Sequence, residues 1–163
     1  MGVCGSGKTT VAHLLAERLA CAMVEGDNLH SPENVLQMSA GTALTDADRA
    51  DWLVAIGRHI AAASRDRRAL VVSCSALKRS YRDTLRRADP HLVFVHLVGD
   101  KALLRQRMTL RQDHFMPASL LDSQFDTLES PAPDEHAISC DAAQNATQIV
   151  RSVLSKLPNS GLS

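Results

Sequence analysis

Aromatic side chains are scarce in this sequence: one Trp, one Tyr and three Phe in 163 residues, 3% in all. So few rings argue against a surface that stacks nucleic-acid bases. Excess charge of either sign is missing as well. Lys+Arg and Asp+Glu both number 18, so no overall field draws the chain to nucleic acid or to an acidic membrane. No apolar run approaches the ~20 residues needed to cross a bilayer. The glycine-rich start does not read as the apolar part of a secretory signal. The four cysteines, Cys4, Cys21, Cys74 and Cys140, lack C-x-x-C spacing. They read as reduced thiols of a cytoplasmic protein, not as zinc ligands or disulfides. Repeats, linkers and low-complexity segments are absent. A hydrophobic content of 45% and a charged content of 22% suit one compact domain over residues 1–163.

What is present is concentrated at the start. Gly2-Val3-Cys4-Gly5-Ser6-Gly7-Lys8-Thr9 satisfies the phosphate-binding pattern G-x-x-x-x-G-K-[ST] at every fixed position. Glycines let the backbone approach a polyphosphate closely, and successive N–H groups then point into an anion-sized hollow at a helix N-terminus. Lys8 supplies a positive charge to the β- and γ-phosphates, and the Thr9 hydroxyl is placed to ligate Mg²⁺. Residues 2–9 with the adjoining Thr10 are the expected ATP contacts. Such a loop normally follows a buried parallel strand, and here only Met1 precedes it. The sequence therefore predicts a sheet that lacks its strand before the loop, with a gap beside Ala69–Cys74. A start upstream, with Met1 an internal methionine, is the favoured reading of that oddity. A nucleotide-binding chain with little catalysis is the other.

Further along, helical and extended patterns alternate. Val11, Leu14, Leu15 and Leu19 have helical spacing, and Ala22-Met23-Val24 reads as a strand ending in Glu25-Gly26-Asp27. Pro32 and Gly41 bracket a short helix. Thr45 is a candidate N-cap for a helix carrying Trp52, Leu53, Ile56 and Ile60, all expected in the core. Ala69–Cys74 is the clearest buried strand, and Ser75 is expected to cap the helix of Leu77, Tyr81 and Leu85. Leu92–Val98 reads as a strand and Lys101–Arg111 as a helix. Pro117 is expected to open the helix of Leu120, Leu121, Phe125 and Leu128. Ala137–Cys140 is a last strand, followed by a closing helix and a frayed tail beyond Pro158. This alternation implies parallel β-α-β units in a three-layer α/β domain with a central parallel sheet.

A phosphate loop by itself implies only a bound nucleotide. Transfer to a small hydroxyl compound needs a carboxylate on that hydroxyl, cations for the moving charge and a lid that excludes water. Asp27 is the candidate base, and Glu25 could hold the metal through water. Arg49, Lys78, Arg79 and Arg82 are candidate cations on the acceptor side. Arg105, Arg107 and Arg111 mark a lid over about 105–118, because a guanidinium reaches two phosphate oxygens at once. His30 and His114 stand in polar loops.

Several segments together resemble the gluconate kinases: Gly2–Thr9, Glu25-Gly-Asp-Asn-Leu-His30, Leu44-Thr-Asp-Ala-Asp-Arg49, Cys74-Ser-Ala-Leu-Lys-Arg79, His114-Phe-Met-Pro117 and Leu120-Leu-Asp-Ser-Gln-Phe125. The match runs from Gly2 to about Glu135. It implies transfer of the γ-phosphate of ATP to the 6-hydroxyl of D-gluconate, on a fold similar to shikimate kinase with a mobile lid, commonly in dimers. It also implies that Asp27, His30, Arg49, Lys78, Arg82 and His114 meet the substrate, with Lys8, Arg107 and Arg111 on the phosphoryl group. Glu25 stands where many relatives have Asp, Ala43 and Asp51 where many have Pro, and Asp113 where many have Gly.

Overall fold

A computed structural model describes residues 1–110 and 119–157. The phosphate loop runs straight into helix α1, Lys8–Arg18, whose N-cap is Gly7 at φ 89°. Strand β1, Ala22–Glu25, ends in a tight turn over Gly26–Leu29. Helix α2, Pro32–Ser39, starts as Ser31 accepts from the Asn34 amide, with Pro32 at its first position. Helix α3, Asp46–Arg65, carries the expected Thr45 cap, completed by Asp48 as a reciprocal capping box. Strand β2, Leu70–Ser73, and helix α4, Arg79–Arg86, follow. Strand β3, Phe94–Val98, leads through the Asp100 cap to helix α5, Lys101–Thr109. Helix α6 spans Ser119–Thr127, strand β4 Ala137–Asp141 and helix α7 Ala146–Lys156.

The start of one helix differs from the sequence expectation. Ser75 does not cap α4; the helix begins at Arg79 with Lys78 as its N-cap residue. The intervening turn cannot be helical because Ala76 holds a left-handed backbone, φ 43°. The central sheet is divided beside β2, where the sequence reading put a gap. Among the described residues, β1 pairs in parallel with β2 and β3 pairs in parallel with β4, as two separate two-stranded sheets.

Met1 alone bridges them. Its amino group donates to the Val95 carbonyl, and its own carbonyl accepts from the Leu97 amide at 2.9 Å, one rung of a parallel ladder. Gly2 then donates to Ser75 beyond β2 at 3.1 Å. Behind that rung, β2 and β3 face each other across a cavity of about 300 Å³. Val11 and Leu15 of α1 line one side, and Ile56 and Ile60 of α3 the other. Leu70, Val71 and Val72, expected to be fully buried, are only half-buried because this cavity borders them.

Helices still cover both faces. Trp52, Ile56, Ile60, Tyr81, Leu85 and Phe94 form one core on the α3–α4 side. Val11, Leu15, Leu97, Ile149, Val150 and Val153 form another between α1 and α7. A third lies under the phosphate loop, where Val3 and Cys4 meet Leu77, Leu104 and Leu121.

One buried group gives the fold a pH dependence. His96 of β3 is 3% exposed and its Nε2 has no partner. Burial, with the charges of the Met1 amine and Arg82 nearby, lowers its pKa from 6.5 to about 4. The unfolded chain therefore takes up this proton first as pH falls, and stability is lost between about pH 6.5 and 4, by up to roughly 3 kcal/mol. Burial lowers His30 in the same direction, to about 4. Thermal melts at pH 7.5 and pH 5 should differ by several degrees. A His96→Asn variant with the same acid sensitivity as the parent would reject this assignment.

Candidate active site

The phosphate loop is shaped by close contacts that leave glycine little alternative. A Cβ on Gly5, at φ +77°, would lie 2.9 Å from the Leu104 carbonyl oxygen. Gly7, at φ +89°, faces open space instead, which is the hollow an anion would fill. Ser6 Oγ donates to the Val3 carbonyl at 2.8 Å, and Lys8 Nζ donates to the same oxygen at 3.0 Å. The lysine amine is thus folded over its own loop, beside the hollow. Gln124 of α6 accepts from the Cys4 amide at 2.7 Å and ties the loop to the helix beyond α5. Thr9 and Thr10 are exposed in the first turn of α1.

Lys8, Glu25 and Asp27 all lie within electrostatic reach of Cys74, the residue that follows β2. Burial pushes the Cys74 thiol up to about 11, and all three side chains act on it electrostatically. Glu25 Oε2 is buried without a hydrogen-bond partner. An orphaned carboxylate oxygen near a phosphate loop suits a hydrated cation, so Glu25 with Thr9 fits Mg²⁺.

Asp27 sits in the turn after β1, and that turn is pinned from α3. Trp52 Nε1 donates to the Gly26 carbonyl at 2.7 Å. The indole also stacks on His30, with ring centroids 4.6 Å apart and planes 7° from parallel. The expected core residue thus positions two expected site residues. Its helical spacing revealed burial but not this partner. Trp52→Phe leaves the Gly26 carbonyl without its donor and should lower stability by about 1–3 kcal/mol. It should also raise the acceptor KM more than the ATP KM; equal KM values for parent and variant would contradict the positioning role.

Arg49 and Lys78 gather with two residues the sequence reading left out. Lys78 Nζ bonds both oxygens of Asp46, at 2.7 and 2.8 Å, and this contact raises its pKa. Tyr81 donates its hydroxyl to Asp46, and Arg49 and Lys78 stand over the Tyr81 ring at 5.8 and 5.7 Å. Arg49 Nη1 donates to the Leu44 carbonyl and, at 3.5 Å, to the Tyr81 hydroxyl. The charge of Arg49 also reaches His30. Arg49 thus links the Asp27 turn, through His30, to the Lys78–Asp46–Tyr81 cluster.

Arg82 is not among them. The sequence reading put it on the acceptor, but its side chain is 0% exposed and bound to Glu135. Its guanidinium is occupied by Glu135 and by the Ala76 and Leu77 carbonyls. Arg107 lies with Gly5, Ser6, Gly7 and Thr10 around a second cavity of about 360 Å³, closed by Leu110, Ala142, Gln144 and Asn145. That hollow adjoins the phosphate loop and is large enough for a nucleoside. Arg105 is held by Asp122 at 2.7 Å. Arg111 and His114 lie outside the described residues, as do most of the expected lid and Pro117.

A phosphate loop opening α1, carboxylates ending the adjacent strand and cations across the crevice define a phosphotransferase of the small-molecule kinase class. A family model described as an AAA domain matches residues 1–131. A gluconokinase of Gluconobacter oxydans is 51% identical over 138 residues, covering 85% of this chain and 78% of that protein. A gluconokinase structure from Sinorhizobium meliloti superposes with TM-score 0.86 at 49% identity, covering 96% of this chain and 88% of the other. An unliganded sugar kinase from Janibacter gives TM-score 0.91 at 44% identity, covering 95% and 90%. The chain belongs to the gluconokinase family.

Proposed function

We propose that this chain transfers the γ-phosphate of ATP to the 6-hydroxyl of D-gluconate, giving 6-phospho-D-gluconate and ADP. The observation that carries this reading is a phosphate loop with Lys8 folded over it, carboxylates Glu25 and Asp27 at the end of β1, and the Arg49 and Lys78 cations gathered at Tyr81. Asp27 accepts the proton of the 6-hydroxyl as its oxygen forms a bond to the γ-phosphorus. The bond from that phosphorus to the bridging oxygen breaks, and ADP keeps the electron pair. Lys8 moves from the Val3 carbonyl to the phosphoryl oxygens, where its charge counts most in the transition state. Arg107, on the wall of the 360 Å³ hollow beside the loop, supports the same oxygens. Arg111 and His114 join from the lid in this reading. Arg49 and Lys78 hold the gluconate carboxylate, with His30 on its hydroxyls. For Lys78 this means exchanging one carboxylate, Asp46, for another.

Thr9 and Glu25 would hold Mg²⁺, which supplies charge neutralisation between the β- and γ-phosphates. A dimeric cytoplasmic enzyme is the rest of this reading. Cys4, Cys21, Cys74 and Cys140 are free thiols, as reducing surroundings would leave them.

A coupled assay of ADP release, run with gluconate, shikimate and a nucleoside monophosphate, tests the reading. Gluconate should give the only signal well above the ATP-only rate. A different acid as the preferred acceptor would overturn the substrate while leaving the kinase class. The cavity between β2 and β3 favours a second reading, in which a chain without a strand before Gly2 binds ATP weakly and turns over slowly.

A further inference from the structure

The turn from Ser75 to Lys78 touches both halves of the site. Ser75 accepts from the Gly2 amide at 3.1 Å, so it holds the first residue of the phosphate loop. Leu77 accepts from the Glu129 amide at 2.9 Å, and Lys78 faces Asp46 on the acceptor side. Between them Ala76 keeps its left-handed backbone, a conformation that a non-glycine residue holds only when its surroundings enforce it. Arg82 enforces it. Its Nη1 donates to the Ala76 and Leu77 carbonyls at 3.2 and 3.0 Å, from the first turn of α4.

The rest of that guanidinium is fixed from behind. Nε and Nη2 meet the two oxygens of Glu135 at 2.6 and 2.9 Å, a fork-to-fork pair with side chains 0% and 1% exposed. Glu135 is held in turn by the Ala132 amide at 2.9 Å and by Arg86, which donates to its backbone oxygen. Buried ion pairs are often replaceable by apolar residues without loss of stability, so stability alone is a weak reason for this one. Its location supplies a better one.

We propose that Arg82, anchored by Glu135, is a positioning residue: it fixes the Ser75–Lys78 turn and so keeps the phosphate loop and Lys78 in one geometry. This rests on the kinase reading above for its effect on turnover, but not for its effect on the turn. The test compares Arg82→Lys with Arg86→Lys. The first keeps a charge for Glu135 but cannot span both carbonyls; the second alters a Glu135 partner that never touches the turn. Two amides report on the turn by NMR hydrogen exchange, Gly2 and Glu129, and Ala142, bonded to Val98 at 2.7 Å, serves as reference.

In Arg82→Lys the Gly2 and Glu129 amides should exchange at least ~10-fold faster relative to Ala142, and kcat/KM for both substrates should drop by ~10-fold or more. Arg86→Lys should leave both readouts within about twofold. If Arg82→Lys fails to fold, the apolar pair Arg82→Met with Glu135→Leu replaces it, with the same expectations. Unchanged exchange at Gly2 and Glu129 would overturn the proposal, whatever happens to the melting temperature. So would faster exchange with both KM and kcat unchanged. A parent protein inactive on gluconate would sink the substrate reading alone, because exchange still judges the turn.

Discussion

Asp27→Asn is expected to lower kcat by about 10²- to 10⁴-fold, the range for loss of a positioned general base. The substitution is nearly isosteric, and Asp27 is only half-buried in a turn that Trp52 holds through the neighbouring Gly26 carbonyl. The fold and the phosphate loop should therefore survive. Nucleotide affinity, measured by titration, should stay within about threefold, because the proposed mechanism has Asp27 act on the acceptor hydroxyl and not on the phosphates. A variant that kept kcat within fivefold would show that Asp27 does not take the proton. It would then be a binding residue at most, and its KM for gluconate would carry the loss.

A chain lengthened ahead of Met1 by about five alternating Val and Ile residues, a typical strand length, is expected to melt well above the chain as given. Met1 already makes the first rung of a parallel ladder beside β3, and the 300 Å³ cavity continues that rung between two strands. Apolar side chains from α1 and α3 wait on both faces, so every residue of an inserted strand would be buried. Burying each Val or Ile contributes about 1.5–3 kcal/mol. Ordering its backbone costs about 1–2 kcal/mol, and ladder hydrogen bonds return about 0.5–1.5 kcal/mol each. The favourable contributions exceed the cost at their central values, so the melting temperature should rise by at least ~10 °C. ATP affinity should rise with it, since Gly2 would then hang from a filled sheet. A Gly/Ser extension of equal length is the control. Equal melting temperatures for the two extensions would mean that the cavity does not accept a strand.

Much of the site was legible because its chemistry is local. The spacing of Gly2, Gly7, Lys8 and Thr9 describes a loop and the helix it opens, and the hydrogen bond that holds Lys8 reaches only five residues back, to Val3. Thr45 and Asp48 cap α3 from three residues apart, as the sequence implied. Glu25 and Asp27 follow a strand, so parallel pairing alone carries them to the phosphate loop's end of the sheet. Arg49 and Lys78 were legible only as cations near that end; their meeting at Tyr81 and Asp46 joins α3 to α4 across 32 to 35 residues.

Tertiary structure decided the rest, and Arg82 marks the boundary. One turn of helix separates it from Lys78, so sequence distance gave both the same expected role. Whether a guanidinium faces a crevice or the interior depends on what waits there, and Glu135 is 53 residues away. Trp52 posed the same difficulty: helical period announces a buried ring but cannot name the carbonyl of Gly26 or the ring of His30 as its partners. The sequence by itself determined the phosphate loop, the order of strands and helices, and the family. Only the folded chain decided which cations gather at Tyr81 and which one is buried against Glu135, because those outcomes depend on contacts between segments remote in sequence.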